Sequence, residues 1–173
     1  MKNIIPYNLF EMAKYDNLYL HKCFTDIVDR VNFDIANNSV GIDVNEEDEL
    51  HIGAGENDYN EGLISDLDLE QIDGFLSLTN VVIYLNKKSP TVPLKKKYEY
   101  SLHAQIGYDP DESSSFSYVI NFTRHTNVLT YLYKNEKEIH LRNLSNTKKI
   151  VDDFYDFCND SIKEAHKIKQ NIE

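Results

Sequence analysis

The sequence predicts an α+β fold: an antiparallel β-meander of about five strands, with N- and C-terminal helices packed on one face in two layers. Three observations predict it. The first is strict alternation over 98–108. Tyr98, Tyr100, Leu102, Ala104, Ile106 and Tyr108 alternate with Glu99, Ser101, His103, Gln105 and Gly107, which is the period of a strand buried on one side. The second is the recurrence of apolar residues at three- and four-residue steps near both ends of the chain, the period of an amphipathic helix. The third is the shortness of the connections in the second half, which can join only antiparallel neighbours. With 173 residues and neither a linker nor an internal repeat, the chain reads as a single domain over 1–173. A domain of that length buries enough surface to fold without a metal or disulfide.

Residues 7–31 read as the first helix. Leu9, Met12, Ala13, Leu20, Cys23, Phe24, Ile27 and Val31 form its stripe, and Pro6 suits its first position. Asn32 and the Asn37-Asn38 pair favour chain reversal, and 33–36, 40–44 and 49–52 read as short strands around it. Gly, Asn and Asp make 53–62 a loop. Ser65 with Asp68 resembles a capping box and opens a short helix over 66–76 through Leu69, Ile72, Phe75 and Leu76. Its early acids Asp66, Asp68 and Glu70 complement the positive helix end.

Residues 81–85 read as a short apolar strand, and the two prolines after it mark a loop. Beyond the 98–108 strand, Phe116, Tyr118, Ile120 and Phe122 alternate with Ser117, Asn121 and Thr123, interrupted by Val119. A turn near Asn127 leads to Leu129, Tyr131 and Tyr133, and another near Asn135 leads to Ile139 and Leu141. Setting Tyr108 near Phe116 puts both apolar sets on one face. That fixes the register, because a slip of one residue would expose them. It also sets Glu99 opposite His125 and His103 opposite Asn121. The last helix spans about 148–169, with Ile150, Phe154, Phe157, Cys158, Ser161, Ala165 and Ile168 in one stripe and Asn146 or Thr147 as its cap. Cys23 and Cys158 each fall on an apolar helix face, which favours free core thiols over a bridge.

Net charge is −11, and its distribution is uneven. No Lys or Arg occurs between Arg30 and Lys87. That window holds Asp34, Asp43, Glu46, Glu47, Asp48, Glu49, Glu56, Asp58, Glu61, Asp66, Asp68, Glu70 and Asp73. Outside it, basic residues slightly outnumber acids. Such a field disfavours direct binding to nucleic acid or to anionic membranes, which needs clustered cations. It favours a basic protein partner, which a one-signed patch steers and captures. Asp43, Glu46, Glu47, Asp48, Glu49, Glu56, Asp58, Glu61, Asp66 and Asp68 are the candidate partner-binding residues. Lys87, Lys88, Lys95, Lys96 and Lys97 form the one basic cluster and flank strands.

Motifs with a mechanism are absent: no phosphate loop, zinc-protease helix, nucleophile elbow or CxxC occurs. Gly53-Ala54-Gly55 lacks the third glycine of a dinucleotide loop, since Asp58 stands there. Glu56, Asp58 and Asn60 have the first spacing of a calcium loop, but Glu61 replaces its glycine and Leu67 its bidentate glutamate. No cofactor or metal is expected. A second candidate site is the polar sheet face, with Glu99, Ser101, His103, Gln105, Asn121, Thr123 and His125. A carboxylate beside an imidazole there would tune a general base, although such side chains are usually solvated cross-strand pairs.

The expectation is a small acidic binding protein, not an enzyme, that neutralises a basic partner, in the manner of an immunity-type inhibitor of a bacterial nuclease-like toxin. A phage DNA-mimic inhibitor or an acidic secretion chaperone uses the same electrostatics. The alternatives of another class are a hydrolase using the sheet face and an oligomeric phage component. Low cysteine use and the absence of an export signal point to the cytoplasm, and the protein is expected to be a monomer or homodimer.

Overall fold

The computed structural model describes residues 22–23, 25–54, 76–85, 99–108, 116–125, 129–139 and 146–172. Five antiparallel strands form one sheet in chain order: β1 (Glu49–Ala54), β2 (Leu76–Leu85), β3 (Tyr100–Tyr108), β4 (Phe116–His125) and β5 (Leu129–Ile139). Helix α1, described over 22–23 and 25–36, precedes the sheet, and α2 (Thr147–Ile172) follows it. This is the α+β meander that the alternation and the short connections predict. The predicted helix over 66–76 lies outside the described residues, apart from Leu76, which opens β2.

The register is set by which side chains must leave water. Tyr108 faces Phe116, Leu102 faces Phe122 and His103 faces Asn121 across β3 and β4. Tyr100, Leu102, Ala104 and Ile106 therefore share one face with Phe116, Tyr118, Ile120 and Phe122, and all are buried. Against them pack Ile150, Phe154, Cys158, Ile162 and Ala165 of α2, together with Cys23, Ile27 and Val31 of α1. Both cysteines are free and buried. Burial pushes the Cys158 thiol far up from its ordinary value, so it packs as an inert small hydrophobe.

Tyr118 shows how α2 is seated. Its ring lies 5.3 Å from that of Phe154 and 5.6 Å from that of Phe157. Its hydroxyl donates to the carbonyl of Ile150 at 2.7 Å. At the start of the helix, Asn146 Oδ1 accepts from the amide of Lys149 at 3.1 Å. Asn146 is thus the N-cap, a contribution of about 1 kcal/mol.

Three local expectations are corrected. Residues 33–36 are the last turn of α1, not a strand. Arg30 pairs with Asp34 four residues on at 2.9 Å, and the helix ends in a Schellman motif. The amide of Ser39 donates to the carbonyl of Asp34 at 2.9 Å and that of Asn38 to Ile35 at 3.2 Å, while Asn38 takes the left-handed conformation with φ 51. The Asn37-Asn38 pair does reverse the chain, but as a helix cap. Residues 40–44 form no strand and do not join the sheet; an α2 side chain serves their backbone instead. Asn135 makes no turn: β5 runs through it, with Asn135 opposite Ile120 and its Oδ1 accepting from the amide of Glu136 at 3.0 Å. A shift of register falls instead beside Thr123.

Candidate functional site

Among the described residues, the fold divides the acids of this window into some that are paired and some that face water. Asp34 is 1% exposed. Arg30 holds it through two hydrogen bonds, at 2.9 and 3.1 Å, and Tyr155 donates its hydroxyl at 3.4 Å. Burial, and then the Asp34 carboxylate, push the Tyr155 phenol far above its ordinary pKa, so it stays a donor. Asp48 is also buried, and its Oδ2 lies 2.9 Å from Nε2 of His166 on α2. Glu49 accepts from His51 at 2.9 Å. Asp43, Glu46 and Glu47 are exposed.

The loop that carries them is strapped to α2 at two points seven residues apart, which lie on one helix face. Asn159 accepts from the amide of Asp43 and donates to the carbonyl of Gly41, both at 2.9 Å. It therefore does the work of a neighbouring strand for the backbone of 41–43, which stays outside the sheet. His166 lies 3.0 Å from Asn45 in addition to its contact with Asp48. Gly41 sits against the Tyr155 ring, where an added Cβ would stand 3.2 Å from ring carbon Cδ2. Between loop and helix runs a groove of about 750 Å³, with Asp43, Asp156 and Asp160 on its walls beside Lys163 and His166. Lys163 pairs with Asp160 at 3.1 Å and Lys167 with Glu164 at 3.2 Å. Both are exposed pairs, worth little to stability. The exposed carboxylates thus come from two parts of the sequence, and the contribution of α2 was not legible from the basic-free window. Candidates Glu56, Asp58, Glu61, Asp66 and Asp68 lie outside the described residues.

The polar sheet face is the side turned away from the helices. Ser101 faces Thr123, His103 faces Asn121, and Gln105 faces Val119 and donates to Asn80 Oδ1 at 3.0 Å. Glu99 and His125 are backbone neighbours, the His125 amide donating to the Glu99 carbonyl at 2.6 Å. The expected carboxylate–imidazole contact is replaced, because Arg124 takes the Glu99 carboxylate at 2.7 and 2.9 Å. The imidazole instead meets serine: Ser101 Oγ lies 2.5 Å from His125 Nε2. A serine beside a histidine is the start of a nucleophile and base, but Ser101 is 0% exposed and Thr123 only 4%. Among the described residues no three His, Cys, Asp or Glu side chains converge to hold a metal.

Burial, and then the neighbouring His125, lower the pKa of His103 from its ordinary value of 6.5. The folded state therefore takes up this proton less readily than the unfolded chain. The associated stability is fully present above the unfolded value and is lost as pH falls toward and through the folded one. His103→Gln is expected to reduce the loss of stability between neutral and mildly acidic pH. Urea midpoints of both proteins across that range check this, and equal slopes would refute it.

No family model, curated protein or solved structure matches this chain. Its class is set by the fold, an α+β protein with one polar sheet face and a helix-strapped acidic loop. Among the described residues, no helix is long and apolar enough to cross a membrane.

Proposed function

We propose that this chain is a small acidic binding protein that neutralises a basic protein partner, most concretely as an immunity-type inhibitor of a nuclease-like toxin. The observation that carries the reading is the placement of Asp43 in one groove with Asp156 and Asp160 of α2, with Glu46 and Glu47 exposed further along the same loop. The strap through Asn159 and His166 holds that loop in place before any partner arrives, so less ordering entropy opposes binding. A DNA-mimic inhibitor or an acidic secretion chaperone would use the same charge. The hydrolase reading has the Ser101–His125 contact in its favour, and the burial of Ser101 counts against it.

The test has two stages. Purification of the tagged chain from its native host at moderate salt, followed by mass spectrometry, is expected to return a stoichiometric basic protein. Asp43, Glu46 and Glu47 are then all reversed to Lys. Asp48 and Glu49 are left alone because Asp48 is buried and Glu49 engages His51. Association at low salt should slow by about tenfold to a hundredfold, and its salt dependence should flatten. Unchanged rate and salt slope would place the interface elsewhere.

A further inference from the structure

We propose that β5 pairs with β5 of a second copy of this chain, antiparallel, with the two-fold axis through Asn135. This rests on the sheet edge and not on the partner reading above. At 11 residues β5 is the longest strand of the sheet, yet it stands at the edge, with β4 as its neighbour. Among the described residues no strand lies on its outer side. Such an edge is a template for another strand, the Glu136 amide exchanging Asn135 Oδ1 for a backbone carbonyl where it faces the second copy; edges are normally short, bulged or broken by proline. β5 has no proline, and its one register shift lies toward its start, which leaves 133–139 regular.

What guards the strand is charge, and the charge has a pattern. Lys134 and Glu136 stand two residues apart on the open sheet face, exposed by 63% and 40% and 3.2 Å from each other. A foreign apolar strand would have to desolvate both. A second copy need not. Residues directly opposite in an antiparallel pair point to the same face, so a symmetric pairing must be centred on a residue. Centred on Asn135, it sets Lys134 of each copy against Glu136 of the other, twice by symmetry. Moving the centre by one residue puts Lys134 against Lys134 or Glu136 against Glu136. On the opposite face the same register sets Lys137, whose ammonium Asp153 holds, opposite Tyr133 of the second copy. The pattern that deters other strands therefore matches its own.

Analytical ultracentrifugation of the full chain at low salt, from low to high micromolar concentration, tests this. The native protein is expected to dimerise, more weakly as salt rises. Lys134→Glu and Glu136→Lys each create two like-charged contacts and should weaken the dimer by about tenfold or more. Both sites are exposed, so the variants fold, and circular dichroism checks that. Each variant repels itself but complements the other, so an equimolar mixture should recover association as a heterodimer. A native protein that stays monomeric, a single variant that dimerises like the native chain, or a mixture that stays monomeric overturns the proposal.

Discussion

Replacing Phe154 by Ala is expected to destabilise the protein by about 3–5 kcal/mol. Phe154 is 0% exposed at the centre of the α2 stripe. Its ring lies 5.3 Å from that of Tyr118 on β4 and 6.2 Å from that of Tyr155. Truncation removes the ring's burial and leaves a cavity, and the neighbours have little freedom to fill it. Tyr118 is anchored by its hydrogen bond to the Ile150 carbonyl, and Tyr155 by its contact with Asp34. The melting temperature should fall on the order of 10 °C for a chain of this size. Phe154→Leu, which keeps more of the volume, should cost much less. Urea unfolding followed by circular dichroism measures both. A loss under about 1 kcal/mol for the Ala variant would mean that α2 does not seat on the sheet through this ring.

Replacing His166 by Ala is expected to cost about 2 kcal/mol and to loosen the acidic loop. The Asp48 side chain is 0% exposed, while that of His166 keeps 22%. Removing the imidazole strips a buried carboxylate of a donor at 2.9 Å, although water entering from the groove offsets part of the penalty. Adding Asp48→Asn removes the buried charge, so the double variant should lose less than the sum of the two single changes. Hydrogen exchange supplies the second readout. Amides over 41–48 should lose protection in the His166 variant while those of β3 and β4 keep theirs. Strict additivity, or unchanged exchange over 41–48, would show that the histidine does not clamp the loop. If the loop is the partner's landing site, the same variant should also bind more weakly, because the partner must then order it.

Much of the fold was legible because one face of each element must leave water. Alternation over 98–108 and 116–122 gave both the strands and their register. Tyr108 does face Phe116, as the burial of both apolar sets requires. The α2 stripe was equally plain, and its cap was narrowed to Asn146 or Thr147, of which the structure uses Asn146. Phe33 and Ile35 misled because their two-residue spacing imitates a strand, yet they are 59% and 37% exposed on a helix. The deciding interactions there were the Arg30–Asp34 pair and a Schellman cap built on Asn38. Asn135 misled in the opposite direction: its turn propensity yields to a ladder that continues through it to Ile139.

The candidate site was legible only in part. A window without Lys or Arg announces a negative field, but it cannot say which acids the fold engages with a partner side chain. That depends on Arg30 for Asp34, His166 for Asp48 and His51 for Glu49. Nor can spacing along one strand say that Glu99 turns to Arg124 while His125 turns to Ser101. By itself the sequence determined the fold class, α2 and the strands around 98–108 and 116–122, the buried face of the sheet, the register of those two strands and the excess of negative charge. Each of these follows from local periodicity and composition. Only the tertiary structure decided that Asn159 and His166 strap the loop to α2, that Asp43 shares a groove with Asp156 and Asp160, and that Glu46 and Glu47 face water. Those contacts join residues more than a hundred positions apart in the chain, and no local pattern encodes such a pairing before the helix has packed on the sheet.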